Sequence, residues 1–272
     1  MNILLLFLFA VIVGLAILWW QQEKILFQPP GHVDVGDVAA DRIDYIAADG
    51  QHLFGFLAGN CADADVLLCF HGNADLALWQ IEWASEVVRR FGIAVFLAEY
   101  RGYGGITGRP TYDASRLDAD AAYRCVTETL DVSRSRVYVF GHSLGSAVAM
   151  ELALRFPVRG ALLQAPFTSA REMASRTIAW PVAAMWDIVS RVHFDTVAAV
   201  QQLDAPVSVI HGTRDLVIPH RMGEAVYRAA KSKGAFALIE KAGHNNVVDV
   251  AGENYWNWFS SALLSTAERA GR

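Results

Sequence analysis

Apolar runs of strand length recur along this chain with helical segments between them, and that alternation constrains the fold more than any other feature. Val66 to Phe70, Ile93 to Ala98 and Arg136 to Phe140 are near-continuous apolar runs, the pattern of strands buried on both faces. Helical segments separate them around Leu76 to Arg90, Ala114 to Leu130 and Leu144 to Phe156. Strands over Gly160 to Leu163, Val207 to Ile210 and Phe236 to Ile239 follow, and a helix around Val248 to Leu264 closes the chain. Alternation of this kind predicts an α/β fold with a mostly parallel, doubly wound sheet covered by helices. Ahead of it, Arg42 to Ala47 and His52 to Leu57 flank Asp49-Gly50, a dipeptide suited to a tight turn, and predict an antiparallel hairpin. Hydrophobic residues make up 54% of the chain and charged ones 19%, so there is ample apolar surface for a single large core.

The N-terminus is of a different kind. Ile3 to Trp20 is unbroken by any polar residue and is bordered by Gln21, Gln22, Glu23 and Lys24. It is just long enough for a transmembrane helix, which takes roughly 17–25 residues. A cleaved signal peptide is the competing reading, but a basic n-region is missing and the apolar run continues past the small residues Gly14 and Ala16. Trp19 and Trp20 at the polar boundary suit an interfacial anchor. We therefore assign residues 1–22 to a single-pass membrane anchor, 23–39 to a linker marked by Pro29-Pro30-Gly31, and 40–272 to the folded domain. Charge leaves the orientation open, since Lys24 and the α-amino group lie on opposite sides of the span.

The most specific local signal is Gly141-His142-Ser143-Leu144-Gly145, a G-x-S-x-G between a predicted strand and a predicted helix. A turn that sharp projects the Ser143 hydroxyl above the carboxyl edge of the sheet, at a helix N-terminus that favours developing negative charge. A serine hydroxyl needs a neighbouring base, itself held in one tautomer by a carboxylate. Asp215 follows the strand that ends near Ile210, and His244 follows the strand that ends near Ile239, so Ser, Asp and His occur in that order, each after a strand. Ser143 is the candidate nucleophile, His244 its base and Asp215 the carboxylate that orients the base. A catalytically inactive scaffold is the competing class. Its usual mark is a missing member of the triad, and here all three are present.

Together with Phe70-His71-Gly72-Asn73-Ala74, Tyr100-Arg101-Gly102-Tyr103-Gly104 and Ala165-Pro166-Phe167-Thr168-Ser169, these motifs resemble the α/β-hydrolase superfamily. They are most similar to its branch of membrane-anchored serine hydrolases that includes protein depalmitoylases. The resemblance runs from about residue 25 to the C-terminus. It implies the eight-stranded α/β-hydrolase sheet and cleavage of ester or thioester bonds through an acyl-serine intermediate. It also implies an oxyanion hole made by the backbone N–H groups of Asn73 and Leu144. Glu99 stands where the family usually has Asp before Tyr-Arg-Gly-Tyr-Gly. A small-molecule or acylated substrate is implied, of which membrane tethering favours lipid-like acyl groups.

Ile178 to Trp186 lies where this fold commonly carries a lid, and an ordinary helix broken at Pro181 is an equal reading. Its apolar Trp180, Met185 and Trp186 are candidate walls of a substrate pocket. His71, His142 and His211 lack metal-ligand spacing, so structural hydrogen bonds are the simpler reading, and no metal or cofactor is expected. Cys61, Cys69 and Cys125 form no metal or disulfide framework. The net charge of −5 without a basic stripe argues against a nucleic-acid partner. Nothing in the sequence sets the oligomeric state.

Overall fold

Residues buried on both sides of a strand must find two apolar layers, and the chain supplies them from helices on either face. The computed structural model describes residues 3–31, 39–177, 186 and 190–270. Eight strands form one sheet: β1 (Asp41–Ile46), β2 (His52–Ala58), β3 (Val66–Phe70), β4 (Ala94–Ala98), β5 (Val137–His142), β6 (Gly160–Gln164), β7 (Val207–Gly212) and β8 (Lys233–Ile239). Their spatial order is β1-β2-β4-β3-β5-β6-β7-β8. The β1–β2 and β2–β4 pairs are antiparallel and all others parallel, so the hairpin and the doubly wound sheet are both present.

Alternation along β3 divides the core. Val66, Leu68 and Phe70 join one cluster and Leu67 and Cys69 the other. The helices that cover the first face are α3 (Tyr112–Arg124), α4 (Leu144–Arg155), α6 (Thr196–Gln202) and α7 (His220–Ala229). Those that cover the second are α2 (Ile81–Phe91) and the C-terminal pair α8 (Val247–Ala251) and α9 (Glu253–Ala270). A short α5 (Ala170–Thr177) follows β6. Tyr255, Trp258, Phe259 and Ala262 are buried on the sheet, and Trp256 is buried beside Phe91 and under the Arg90 guanidinium, so the aromatic stripe of the last helix is core. Local signals set the ends. Thr111 Oγ1 accepts from the Ala114 N–H at the start of α3, and α2 stops at Gly92 in the left-handed region after Arg89 and Arg90.

The N-terminal helix, α1 (Ile3–Leu26), is apolar, and the side chains described between Ile3 and Trp20 are largely exposed. It does not stop at the polar boundary. Gln21 to Lys24 are good helix formers, so the helix continues through residues read as linker and ends ahead of Pro29-Pro30. Its last part is packed into the domain, with Gln22, Glu23 and Phe27 buried.

Candidate active site

Parallel strands deliver their following loops to one edge, and four such loops converge here. After β5 the chain turns through Ser143, whose φ of 54° and ψ of −118° lie outside the ordinary regions. A non-glycine residue held there costs about 1–3 kcal/mol and persists only because its surroundings fix it. The Ser143 N–H donates to the Gln164 carbonyl at 2.9 Å, and the Ser146 hydroxyl donates to the Ser143 carbonyl at 2.6 Å. The flanking glycines are dictated by contact. A Cβ on Gly141 would lie 2.3 Å from the Gly145 oxygen, and one on Gly145 only 2.0 Å from the Phe70 oxygen. No side chain larger than hydrogen fits at either position.

His244, from the loop after β8, places Nε2 3.0 Å from Ser143 Oγ and Nδ1 2.7 Å from Asp215 Oδ2. The three residues expected from their order in the chain are thus joined in one hydrogen-bonded line. Asp215, in the loop after β7, is fixed on both oxygens. Its Oδ1 accepts the Val217 and Ile218 N–H groups at 2.8 Å each, and its Oδ2 faces His211 Nε2 at 3.2 Å as well as His244. Burial alone would raise its pKa, but the hydrogen bonds from His211 and His244 outweigh burial and hold the carboxyl well below the usual range. His211 also donates Nε2–H to the Ile218 carbonyl at 2.9 Å, so it has the structural hydrogen-bonding role expected from the sequence, and its particular partner, Asp215, is what the sequence did not indicate. Burial, with His244 alongside, pushes the pKa of His142 down to about 4, so that ring is neutral at neutral pH.

Asn73 and Leu144 both border Ser143 in the same cavity, and the Leu144 N–H opens α4, where the first donors of a helix have no partner within it. The Asn73 side chain holds its loop: Oδ1 accepts from the Ala74 N–H at 3.0 Å, the Tyr103 hydroxyl at 3.1 Å and the Gln28 N–H at 2.7 Å. Tyr100 donates its hydroxyl to the His71 carbonyl at 3.2 Å. The Tyr-Arg-Gly-Tyr-Gly motif is therefore the buttress of the Asn73 loop. Glu99 extends that support, bonding His71 Nε2 at 2.7 Å and accepting the Ala77 N–H at 3.1 Å. Burial works against a proton on His71, but the Glu99 carboxylate prevails and its pKa is raised.

Two cavities meet at Ser143. One, of about 260 Å³, is mostly apolar and includes Phe167, Ala174, Trp186, Val192 and Ile218. Trp186 thus reaches the site, while Trp180 and Met185 lie outside the described residues. The other, of about 660 Å³, opens between α2 and the His244 loop, and Asp75, Glu82, Glu86 and Asp249 line it with Trp79 and Trp83.

A strained serine between strand and helix, with its histidine and aspartate on later loops of this sheet, defines the hydrolase class of the fold, and comparison with known proteins agrees. A family model described as serine aminopeptidase, S33, matches residues 62–196. The uncharacterized protein Rv2307c of Mycobacterium tuberculosis is 31% identical over 241 residues, which is 84% of this chain and 82% of that protein. The α/β-hydrolase domain-containing protein 17B of Xenopus laevis is 29% identical over 191 residues, 69% of this chain and 63% of that protein. Among solved structures, the Pyrococcus furiosus esterase Pf2001 superposes with a TM-score of 0.64 at 20% identity, covering 87% of this chain and 96% of its own. This chain belongs to the α/β-hydrolase superfamily.

Proposed function

We propose that the chain is a membrane-anchored serine hydrolase that cleaves carboxylic esters or thioesters through an acyl-serine intermediate. The observation that carries this reading is the hydrogen-bonded line from Ser143 Oγ through His244 to Asp215 Oδ2. His244 Nε2 takes the hydroxyl proton as Oγ attacks the acyl carbonyl, while Asp215 holds the proton on Nδ1 and stabilises the imidazolium that results. The Asn73 and Leu144 N–H groups stabilise the tetrahedral oxyanion. As that intermediate collapses, His244 returns the proton to the departing alcohol or thiol. Water, activated by His244 in turn, releases the acid and restores Ser143.

Two unlike cavities on Ser143 suit two unlike halves of a substrate. The smaller apolar one favours the acyl chain, where each buried methylene contributes about 0.8 kcal/mol. The larger, lined by Asp75, Glu82 and Asp249 beside a Glu86 that is paired with Arg89 and Arg90, favours a neutral or cationic leaving group over an anionic one. A panel of esters and thioesters that varies acyl length against one alcohol, then the charge of the alcohol against one acyl group, tests both halves. kcat/KM should rise with acyl length and fall several-fold for carboxylate-bearing alcohols. Equal rates across both series would remove this assignment of the cavities.

The exposed apolar flank of α1 supports a membrane anchor. At about 1.5 Å per residue its free part matches roughly one bilayer core. The full chain should stay with membranes after alkaline carbonate extraction, and its appearance in the soluble fraction would contradict a spanning anchor.

A further inference from the structure

The apolar cavity at Ser143 has a wall that the folded domain does not supply. Gln22, Ile25 and Leu26, in the last two turns of α1, line it together with Leu144 and Phe167. This end of the helix is fastened to the domain at several points. The Arg191 N–H donates to Gln22 Oε1 at 2.7 Å, and the Arg191 guanidinium lies 4.9 Å from the Trp19 ring. Glu23, buried, has the guanidinium groups of Arg191 at 3.2 Å and Arg109 at 3.5 Å. Phe27 is in the core, and the Gln28 N–H is bonded to the Asn73 side chain beside the site. α1 is thus held against the site at a fixed place. Ile25 is exposed as well as lining the cavity, and further along α1 Trp20 and Ile17 are exposed too.

The cavity is also small for a long chain. At about 260 Å³ it falls below the roughly 300–1,000 Å³ usual for small-ligand sites, so it holds a short acyl group or the carbonyl end of a long one. Ile25 and Val217 are the exposed apolar residues among its lining, and a longer chain that leaves past Ile25 meets the exposed apolar side chains of the helix. From the proposed ester or thioester hydrolysis at Ser143, we infer that the base of α1 is one wall of the acyl pocket. The acyl chain of a bilayer-resident ester or thioester reaches Ser143 along this helix, and Leu26 and Ile25 determine which chain lengths are accepted. The anchor is then part of the specificity of the enzyme as well as its tether.

The test uses the full-length protein in phosphatidylcholine vesicles and compares kcat/KM for palmitoyl and acetyl thioesters of one thiol. Leu26→Trp, which fills the cavity from the helix side, should lower the palmitoyl-to-acetyl ratio roughly tenfold or more, the size of effect that a few methylenes produce in an apolar pocket. Phe9→Ala, far out on α1, should leave the ratio within about twofold. A second measurement needs no variant. An alkyl fluorophosphonate with a diazirine on its chain is attached to Ser143 of the unaltered protein and irradiated, and the cross-linked peptide is mapped. Cross-links within residues 17–26 are expected. Labelling of Ser143 without any cross-link to α1, or an unchanged ratio in a folded Leu26→Trp variant, overturns the role of the helix while leaving the hydrolase reading intact. Failure of the unaltered protein to label at Ser143 would instead remove the hydrolase reading, and this inference with it.

Discussion

Ser143→Ala should lower kcat by about 10⁶-fold on any ester that the unaltered protein turns over, while the variant still binds substrate and melts near the parent temperature. In the proposed mechanism Oγ is the atom that forms the acyl bond, and without it His244 has no hydroxyl to deprotonate. What remains is whatever the oxyanion N–H groups and substrate positioning achieve with water as nucleophile, on the order of 10³–10⁴ over the uncatalysed rate. The fold should not suffer, because alanine accepts the same backbone turn at a similar cost and the glycine contacts around it are unchanged. Residual activity within a hundredfold of the parent would mean that another residue attacks the carbonyl.

Asp215→Asn has the second largest expected effect, and the surroundings dictate why. Oδ1 is fixed by two backbone donors, Val217 N–H and Ile218 N–H, so the amide oxygen must occupy that position. The amide NH₂ then falls at the Oδ2 position, facing His244 Nδ1 and His211 Nε2. His244 can accept from it only by giving up the proton on Nδ1, which moves that proton to Nε2 and leaves no lone pair toward Ser143. kcat should drop by about 10⁴-fold, or about 5 kcal/mol in the barrier. Circular dichroism should show a folded protein. The same carboxylate also ties stability to acid. Its folded pKa lies below the unfolded value near 3.9, so its contribution is complete above that value and is lost as pH falls through the lower, folded one. Near-parent activity in Asp215→Asn would place the orienting carboxylate elsewhere.

The parts of this molecule that were legible in the sequence are those whose partners impose a pattern on neighbouring residues. β3 was readable to the residue because it is buried on both faces, and Ser143 because its turn admits only glycine on either side. α6 is only seven residues long, too short to show a period. α7 carries Gly223 within it, which reads as a breaker. That glycine is there because a Cβ would lie 2.3 Å from His211 Nδ1. The end of α1 was obscured differently: the change from apolar to polar side chains at Gln21 marks where the environment changes, and the backbone continues as helix beyond it. Contacts such as Gln28 to Asn73, or Leu26 to the cavity of Ser143, join residues far apart in the chain and leave no local pattern.

The central claim is that Ser143 Oγ is the atom that carries the acyl group, and covalent trapping addresses it most directly. The full-length protein is incubated with a fluorophosphonate, digested and mapped by mass spectrometry. The account predicts one stoichiometric adduct on Ser143, formed quickly in the parent and much more slowly in His244→Ala, because the attack needs the base 3.0 Å away. An adduct on any other residue, or equal rates of labelling with and without His244, would contradict it.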